Sequence, residues 1–129
     1  MDMKITFPGG KKVNAEIDGF IHKTDQALIS GGEGSAPEPF SLFLSSIGTC
    51  TGIYVLRFCQ ERDINTSGME IIQSMNLSPF SGMIEQIILN IILPEGFPKK
   101  YKKAVIKSAS LCAVKKYIEN PPQFVITTT

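Results

Sequence analysis

The 129-residue sequence has little of what metal, nucleotide and disulfide sites are built from. It contains one histidine, His22, and three cysteines, Cys50, Cys59 and Cys112, none of them in a Cys-x-x-Cys pair. An odd number of cysteines without that spacing argues against a secreted disulfide framework and against a zinc ribbon. A lone histidine on the polar side of a predicted strand is typical of a surface residue rather than of a metal ligand or catalytic base. We therefore expect no metal site and no bound cofactor.

A phosphate-binding loop and a strong net charge are also absent. The segment GGEG at 31–34 is followed by no Gly-Lys-Ser or Gly-Lys-Thr, and its acid would repel phosphate. Seven lysines cluster between 99 and 116, yet the chain carries a net charge of only +1 and few aromatic residues stand among them. This favours a solvated helix face over a nucleic-acid surface. We expect no nucleic-acid partner.

Long apolar runs are missing as well. No unbroken apolar segment reaches the roughly 18 residues of a membrane span. The N-terminal segment MDMKITFPGG lacks the charged-then-apolar order of a signal peptide. The sequence therefore predicts a cytoplasmic protein without a membrane partner.

The composition is that of an ordinary globular domain. Apolar residues make up 43% of the chain and charged residues 19%, which excludes a disordered protein. A chain of this length fits one domain and buries roughly two-thirds of its unfolded surface. We expect a single domain over residues 1–129.

The first third of the chain is predicted to be β-structure. MKITF alternates, PGG is a turn, and KKVNAEIDGFIHK places Val13, Ala15, Ile17 and Ile21 on one face, which predicts a hairpin. ALIS at 27–30 is a candidate short strand. GGEGSAPEP at 31–39 is rich in residues that break regular structure, so we expect an exposed, mobile loop.

A long helix is predicted from Pro39 to about Arg62, because this segment is too long for a strand and proline suits a first helical turn. It is apolar over most of its circumference, which is typical of a central, buried element. Gly48 and Gly52 flank Cys50 and are unfavourable in a helix, so another backbone or a ligand is expected to approach there.

The second half adds two strands, a helix and a last strand. GMEIIQSMNL and GMIEQIILNIIL are joined by SPFSG, which suits a hairpin, and the second run is predicted to be a central strand. One helix is predicted between Pro98 and Pro121, with Cys112 facing inward, and QFVITTT is predicted to close the chain as a strand. The element order predicts an α+β fold with helices packed on a mostly antiparallel sheet.

The two helices each carry an inward-facing cysteine. Cys50 and Cys112 can therefore approach within the roughly 4.4 to 6.8 Å Cα separation that a disulfide requires. Cys59 lies on the opposite face of the helix from Cys50 and is interpreted as core packing. Periodicity alone leaves open whether Cys50 is a reactive thiol or a small core residue.

Three segments carry a resemblance to a known family. APEPFSLFLSSIGTC, then IYVLRFCQERDI, then YKKAVIKSASLCAVKKYIE resemble the OsmC/Ohr family, named for osmotically inducible protein C and organic hydroperoxide resistance protein. The resemblance implies an intertwined homodimer with two active sites at the subunit interface. It implies that Cys50 is the peroxidatic thiol and Cys112 the resolving thiol, with an organic hydroperoxide or other small apolar ligand as partner and an external dithiol as reductant.

The sequence departs from the family at two charged positions. Family hydroperoxidases supply an arginine from the N-terminal region, whereas the only arginines here are Arg57 and Arg62. The family's glutamate lies ten residues before the cysteine, where this chain has Phe40, and Glu38 is the nearby candidate to replace it. The alternative hypothesis is a non-peroxidatic small-ligand or sulfur-handling binding protein, in which the cysteines only line the pocket.

Overall fold

The computed structural model describes all residues from Met1 to Thr129, in two compact units, Met1–Ser45 and Ser46–Thr129. The boundary between the units falls within the long helix. The chain contains five strands and three α-helices, and both sheets are antiparallel. The predicted α+β class is confirmed.

The N-terminal unit holds a three-stranded meander rather than the predicted hairpin. Its strands are β1 (Lys4–Gly9), β2 (Lys12–Ile17) and β3 (Phe20–Thr24), in the order β1-β2-β3. The extra turn lies at Asp18 and Gly19, which have φ angles of 49° and 80°. Asp-Gly is a favoured pair in two-residue hairpin turns that need positive φ. This turn divides KKVNAEIDGFIHK into two strands.

Residues 27–30 form no strand, which makes that prediction wrong. Leu28–Ser30 is a short 3-10 turn, and Gly31 ends it in the left-handed region with φ 86°. The turn is closed by the Gly31 N–H, which donates to the Leu28 carbonyl at 3.1 Å. No neighbouring strand pairs with this segment.

The loop that follows is exposed over most of its residues, as predicted, and hydrogen bonds to Asp25 hold it. The Asp25 carboxylate is fully buried and accepts hydrogen bonds from the N–H groups of Gln26, Glu33 and Ser35 at 2.8, 3.3 and 3.0 Å. It also accepts one from the Ser35 hydroxyl at 2.6 Å. The hydroxyl and N–H of Ser35 are the largest causes that lower the pKa of Asp25 to about 2. The Asp25 N–H donates to the Pro37 carbonyl at 3.2 Å. Asp25 is therefore hydrogen-bonded both to the middle of the loop and to its C-terminal end.

The long helix α1 spans Pro39–Gln60, as predicted. Proline at the first helical position needs no hydrogen-bond partner for its nitrogen. The Glu38 carbonyl accepts the N–H groups of Ser41 and Leu42 at 3.0 and 3.3 Å. The buried residues of α1 form one stripe, which consists of Ile47, Thr51, Val55, Phe58 and Cys59. By length and hydropathy α1 also resembles a membrane span, a property that core helices of soluble proteins share.

The C-terminal unit contains a two-stranded sheet of β4 (Glu70–Leu77) and β5 (Ile84–Ile92). The predicted hairpin is confirmed, but β5 pairs only with β4 within the chain and is not a central strand. β4 packs on α1 where the helix has glycines. A Cβ at Gly48 would lie 2.7 Å from the Gln73 Oε1 atom, and a Cβ at Gly52 would lie 3.9 Å from the Ile71 Cδ1 atom. The neighbours of these glycines are therefore side chains of β4, where the sequence predicted another backbone or a ligand.

The predicted second helix is broken into three pieces. A 3-10 turn at Lys99–Tyr101 precedes α2 (Lys102–Ala109), and α3 (Ala113–Glu119) follows after a short non-helical segment. Cys112 has φ −46° and ψ 123°, an extended conformation that no α-helix contains. The prediction that Cys112 lies within a helix is wrong, whereas its inward position is confirmed because it is 1% exposed.

The predicted C-terminal strand is absent. Residues 121–129 form no regular structure, and the side chains of Phe124, Val125 and Ile126 are almost fully exposed. The segment has high β-propensity, but a strand needs a partner for its backbone groups. No strand of the same chain supplies one.

The core of the C-terminal unit is small. It consists of Val55, Phe58, Cys59, Phe97 and Val105, surrounded by partly buried residues from the strands and from α2. Cys59 is fully buried, and burial raises the pKa of its thiol. Its predicted role as a packing residue is confirmed.

Candidate functional site

The site consists of two free thiols that the fold brings into contact. Cys50 lies on α1 and is half-buried, while Cys112 lies directly before α3 and is buried. The two cysteines are 3.2 Å apart and are not joined by a disulfide, whose S–S bond would measure about 2.05 Å. The structure thus brings together the two cysteines that the sequence singled out.

Contacts between α1 and the helical segment after β5 set the distance between the two thiols. The ring of Phe58 meets the ring of Tyr101 edge-on, with centroids 5.7 Å apart. The Ser108 hydroxyl donates a hydrogen bond to the Tyr54 carbonyl at 3.3 Å. Val105 of α2 is buried in the same core as Phe58. These contacts hold α2 against α1 one to two turns beyond Cys50.

Neutral groups surround the Cys112 sulfur. Burial by itself raises the pKa of this thiol, but the Lys115 N–H, the side chains of Cys50 and Thr51, and the Val114 N–H outweigh burial, so the pKa of Cys112 is lowered. The two N–H groups belong to the first turn of α3 and act on the sulfur without forming a regular capping hydrogen bond. A thiolate at Cys112 is therefore stabilised by dipoles rather than by a charged side chain.

The protonated form of Cys112 also has a partner. Its Sγ lies 4.0 Å from the carbonyl oxygen of Ile47, one turn before Thr51 on α1. An S–H is a weak donor, and this contact is at the outer limit for sulfur. The Cys112 side chain thus has an acceptor when it carries a proton and donors when it does not.

A cavity of about 660 Å³ lies next to the thiol pair. Its wall includes Ile47 and Thr51, which contact Cys112, and apolar residues of β5 and α2, namely Ile87, Leu89, Ile91, Val105 and Ile106. Lys115 and Glu119, whose side chains are 3.7 Å apart, also line it. The volume falls within the roughly 300 to 1,000 Å³ of small-molecule pockets.

The structure gives the other predicted site residues different surroundings. Glu38 belongs to the N-terminal unit, where its backbone carbonyl begins α1. Arg57 is exposed, and Glu61 pairs instead with Arg62 at 3.6 Å. His22 is exposed on β3, as predicted. No arginine contact with Cys50 or Cys112 is formed within the chain.

Sequence reasoning missed two contributors to the site. Thr51 is 2% exposed on an apolar helix and contacts Cys112, and the Lys115 N–H acts on the same sulfur. The sequence signal for Thr51 was its position, directly after Cys50 and in line with the buried residues of α1. The role of Lys115 depends on the helix break before Ala113, for which the sequence has no proline or glycine.

The fold and the site together define an α+β protein with a pair of contacting free cysteines. The family model described as OsmC-like protein matches residues 32–127 of the chain. The chain belongs to the OsmC-like family, and the resemblance inferred from the three cysteine-bearing segments is confirmed. A comparison with curated proteins gives no match.

Solved structures of the family share the fold at low sequence identity. A protein of Psychrobacter arcticus 273-4, described as an osmotic stress induced and detoxification response protein, matches with a TM-score of 0.73 and 19% identity, over 88% of this chain and 85% of that one. The organic hydroperoxide resistance protein OsmC of Legionella pneumophila matches with a TM-score of 0.53 and 21% identity, over 92% and 89%.

A third structure contains a bound small molecule. An organic hydroperoxide resistance protein of Vibrio cholerae O1 biovar eltor, with captopril in one of its active sites, matches with a TM-score of 0.56 and 16% identity. The match covers 94% of this chain and 86% of that one. At these identities the structures establish the OsmC-like fold of the chain.

Proposed function

We propose that this protein reduces organic hydroperoxides through the thiol pair Cys50 and Cys112. The observation that carries the proposal is the contact between two free thiols, one half-buried and one buried, in a fold shared with organic hydroperoxide resistance proteins. Cys50 is the more accessible of the two, which suits the thiol that meets the peroxide. Cys112 is enclosed and close enough to resolve the product.

The reaction uses only these two thiols, the peroxide and an external dithiol. The Cys50 thiolate attacks the O–O bond, takes one oxygen as a sulfenic acid and releases the alcohol. The Cys112 thiolate then attacks the Cys50 sulfur, and the S–O bond breaks to give water and a disulfide. An external dithiol in the cytoplasm reduces the disulfide and is itself oxidised. Closure requires the sulfurs to move together from 3.2 Å to about 2.05 Å.

The cavity beside the pair supports an organic rather than an inorganic substrate. Its Ile, Leu and Val side chains offer apolar surface to an alkyl group, which hydrogen peroxide lacks. Burial of that alkyl group is worth about 0.8 kcal/mol for each CH₂. We therefore expect cumene hydroperoxide to react faster than hydrogen peroxide.

The active form is a homodimer. Only seven apolar residues of the chain are buried, while large apolar side chains of both units stay exposed, among them Phe7, Phe20, Phe40, Phe43 and Ile53. Exposed apolar surface of this extent indicates that another chain covers part of it. The unpaired edges of β4–β5 and the free C-terminal segment 121–129 are further sites for a second copy.

Glu38 is proposed to take the place of the family's glutamate. It lies one residue before α1, at the end of the loop that Asp25 holds, and its side chain is half-buried. Replacement of Glu38 by glutamine is expected to slow peroxide reduction without affecting disulfide formation by a thiol oxidant.

A second candidate function is that of a small-ligand or sulfur-handling binding protein. It is favoured by the lack of an arginine at the thiols and by the captopril seen in the Vibrio cholerae structure. In that case the cysteines would line a binding site and would not turn over peroxide.

The deciding experiment counts thiols by mass spectrometry after one equivalent of cumene hydroperoxide or hydrogen peroxide is added to the reduced protein. We expect loss of two thiols, a Cys50–Cys112 disulfide and a faster reaction with cumene hydroperoxide. Cys50→Ser is expected to abolish the reaction, whereas Cys59→Ala, which removes a thiol outside the site, is expected to leave it intact. Three unreacted thiols in the wild-type protein would reject the peroxidase and favour the binding protein.

A further inference from the structure

The positive charge of the chain is concentrated in one segment. Residues 99–119 contain seven lysines and one acidic residue, Glu119, and so carry a net charge of +6. Since the whole chain has a net charge of +1, the remaining residues together carry −5. All seven lysines are exposed, and only Lys115 has an acidic partner, Glu119, at 3.7 Å. The small net charge is therefore the difference between a basic segment and an acidic remainder.

On α2 the lysines share one face with an exposed isoleucine. At about 100° per residue, the exposed residues of α2 and its C-terminal neighbour span an arc of about 140°. They are Lys102, Lys103, Ile106, Lys107 and Ser110. The opposite side packs on α1 through the buried Val105 and through Ser108, which donates to the Tyr54 carbonyl. Ile106 is 60% exposed, so the lysines of α2 surround an aliphatic side chain that faces away from the core.

The segment around α3 adds further exposed apolar side chains. The helix has no buried residue, and Tyr117 and Ile118 are exposed on it. Leu111, shortly before α3, is exposed as well. The two helices line one cavity together through the exposed residues Lys102, Ile106, Lys115 and Ile118. We call the exposed side chains of residues 99–119 the basic surface, in which lysines alternate with apolar groups. Several exposed apolar side chains in one place mark an interaction site.

We propose that the basic surface binds the headgroup layer of an anionic lipid membrane, with Ile106 and Ile118 entering the acyl boundary between the lysines. This inference goes beyond the proposed hydroperoxide reductase and does not depend on it. The sequence predicted no membrane partner because it contains no long unbroken apolar run. A surface that lies on a membrane needs no such run.

Both the charge and the apolar groups of the basic surface match an anionic lipid surface. Clusters of about four to eight basic residues attract acidic headgroups, and each residue contributes about fivefold to the affinity. Lysine carries its charge on a long flexible stem, which reaches a phosphate and covers apolar groups beside it. Aliphatic side chains add a second contribution, because their burial at the acyl boundary supplements the electrostatic attraction.

A nucleic acid or a second copy of the chain fits the basic surface less well. Nucleic-acid surfaces use arginine to bind base edges, and residues 99–119 contain none. Protein interfaces are depleted in lysine, and two basic surfaces facing each other across a two-fold axis would repel. The homodimer proposed above uses other apolar residues, such as Phe40, Phe43 and Ile53. It therefore does not require the basic surface.

Co-sedimentation of the full chain with lipid vesicles tests the proposal. One set of vesicles contains phosphatidylcholine alone, and the other contains phosphatidylcholine and phosphatidylglycerol, each at low and at high ionic strength. We expect binding to the anionic vesicles only, and we expect this binding to weaken as salt screens the lysines. No binding to the anionic vesicles at low salt, or equal binding to both compositions, would overturn the inference.

Two charge-reversal variants locate the binding on α2. Lys103→Glu/Lys107→Glu changes two exposed lysines that do not line the cavity. It is expected to weaken vesicle binding by about 25-fold or more, at about fivefold for each lysine. Lys4→Glu/Lys23→Glu makes the same change in net charge at exposed positions of β1 and β3 and is expected to bind like wild type. Equal losses in the two variants would show attraction by net charge alone and would reject the basic surface.

A single tryptophan reports whether the apolar side chains enter the lipid. The chain contains no tryptophan, so Ile106→Trp and Phe80→Trp each introduce one reporter at an exposed position. With anionic vesicles we expect the emission of Ile106→Trp to move to shorter wavelength and that of Phe80→Trp to stay unchanged. Unchanged emission from bound Ile106→Trp would overturn the proposed insertion. A shift that appears without vesicles as protein concentration rises would assign the surface to a second copy, and release from vesicles by an equal concentration of a DNA oligonucleotide would assign it to nucleic acid.

The outcomes for the membrane surface are distinguishable from those for the thiol chemistry. Cys50→Ser is expected to bind anionic vesicles like the wild-type protein. Vesicle binding without peroxide reduction would support the basic surface and reject the hydroperoxide reductase. Peroxide reduction by a protein that does not sediment with anionic vesicles would retain the reductase and reject the membrane surface.

Discussion

Replacement of Phe58 by alanine is the sharpest test of how α1 is held against the elements that carry Cys112. The Phe58 side chain is 6% exposed and lies in the core of the C-terminal unit. Its ring meets Tyr101 edge-on at 5.7 Å and lies under the Arg62 guanidinium, whose carbon is 3.7 Å from the ring centroid. The alanine variant loses all three contacts at once.

The size of the effect follows from these contacts. Truncation of a buried phenylalanine to alanine costs about 3 to 5 kcal/mol, which combines lost transfer free energy with the cavity left behind. We expect about 4 kcal/mol, because the aromatic pair and the stacked guanidinium are lost along with the burial. With an m-value of about 1.5 kcal/mol/M in urea, the unfolding midpoint falls by about 2 to 3 M.

Urea unfolding followed by circular dichroism, at one fixed protein concentration, provides the measurement. Phe80→Ala is the matched control, because Phe80 is 98% exposed in the turn between β4 and β5 and should change stability by less than about 0.5 kcal/mol. We also expect Phe58→Ala to slow closure of the Cys50–Cys112 disulfide by a thiol oxidant. Equal losses of stability for the two variants, or a loss below 1 kcal/mol for Phe58→Ala, would refute this description of the core.

Two further predictions concern the loop of the N-terminal unit. The pKa of Asp25 is about 2 in the folded chain, below the roughly 3.9 of a free aspartate, so its contribution to stability is complete above about pH 4 and is lost as the pH falls through about 2. In the wild-type protein, the chemical shift of the Ser35 amide should titrate with a midpoint near pH 2. In Asp25→Asn that transition should be absent. A wild-type midpoint near pH 4 would contradict the buried hydrogen-bond network. Gly32→Ala is expected to open the loop to cleavage after Glu33 by a glutamate-specific protease, because the new Cβ would lie 2.0 Å from the Gln26 carbonyl oxygen. Cleavage at the wild-type rate would show that the loop accommodates the methyl group.

The elements that were predicted correctly are those whose start, end and hydrophobic pattern can be seen within the segment itself. The helix Pro39–Gln60 has a proline start and sustained apolar character, and the β4–β5 hairpin has two apolar runs around a Pro- and Gly-containing turn. These features depend on neighbouring residues only. The missed turn at Asp18 and Gly19 also had a local signal, the Asp-Gly pair, which the alternating pattern around it concealed.

The elements that failed depend on contacts far along the chain. QFVITTT has strand propensity but no partner in the same chain, and the helix break near Cys112 has no breaker residue in SASLCAV. The pairing of Cys50 with Cys112 was expected from the family resemblance. The stabilisation of the Cys112 thiolate by Thr51 and Lys115 was not, because it depends on that break.

The break between α2 and α3 lies at Cys112, one of the two thiols of the pair. Ser110, Leu111 and Cys112 belong to neither helix. The Ser110 N–H still donates to the Ile106 carbonyl at 3.0 Å, and the Cys112 carbonyl accepts the Lys116 N–H at 3.2 Å. The N–H groups of Leu111 and Cys112 donate to carbonyls only three residues back, at 3.1 and 3.4 Å, which is looser than the regular helical pattern. An approach of about 1 Å between the two sulfurs, from 3.2 Å to the roughly 2.05 Å of a bond, can be absorbed there. For the proposed hydroperoxide reductase, disulfide formation and reduction could then alternate through displacement of this one short segment.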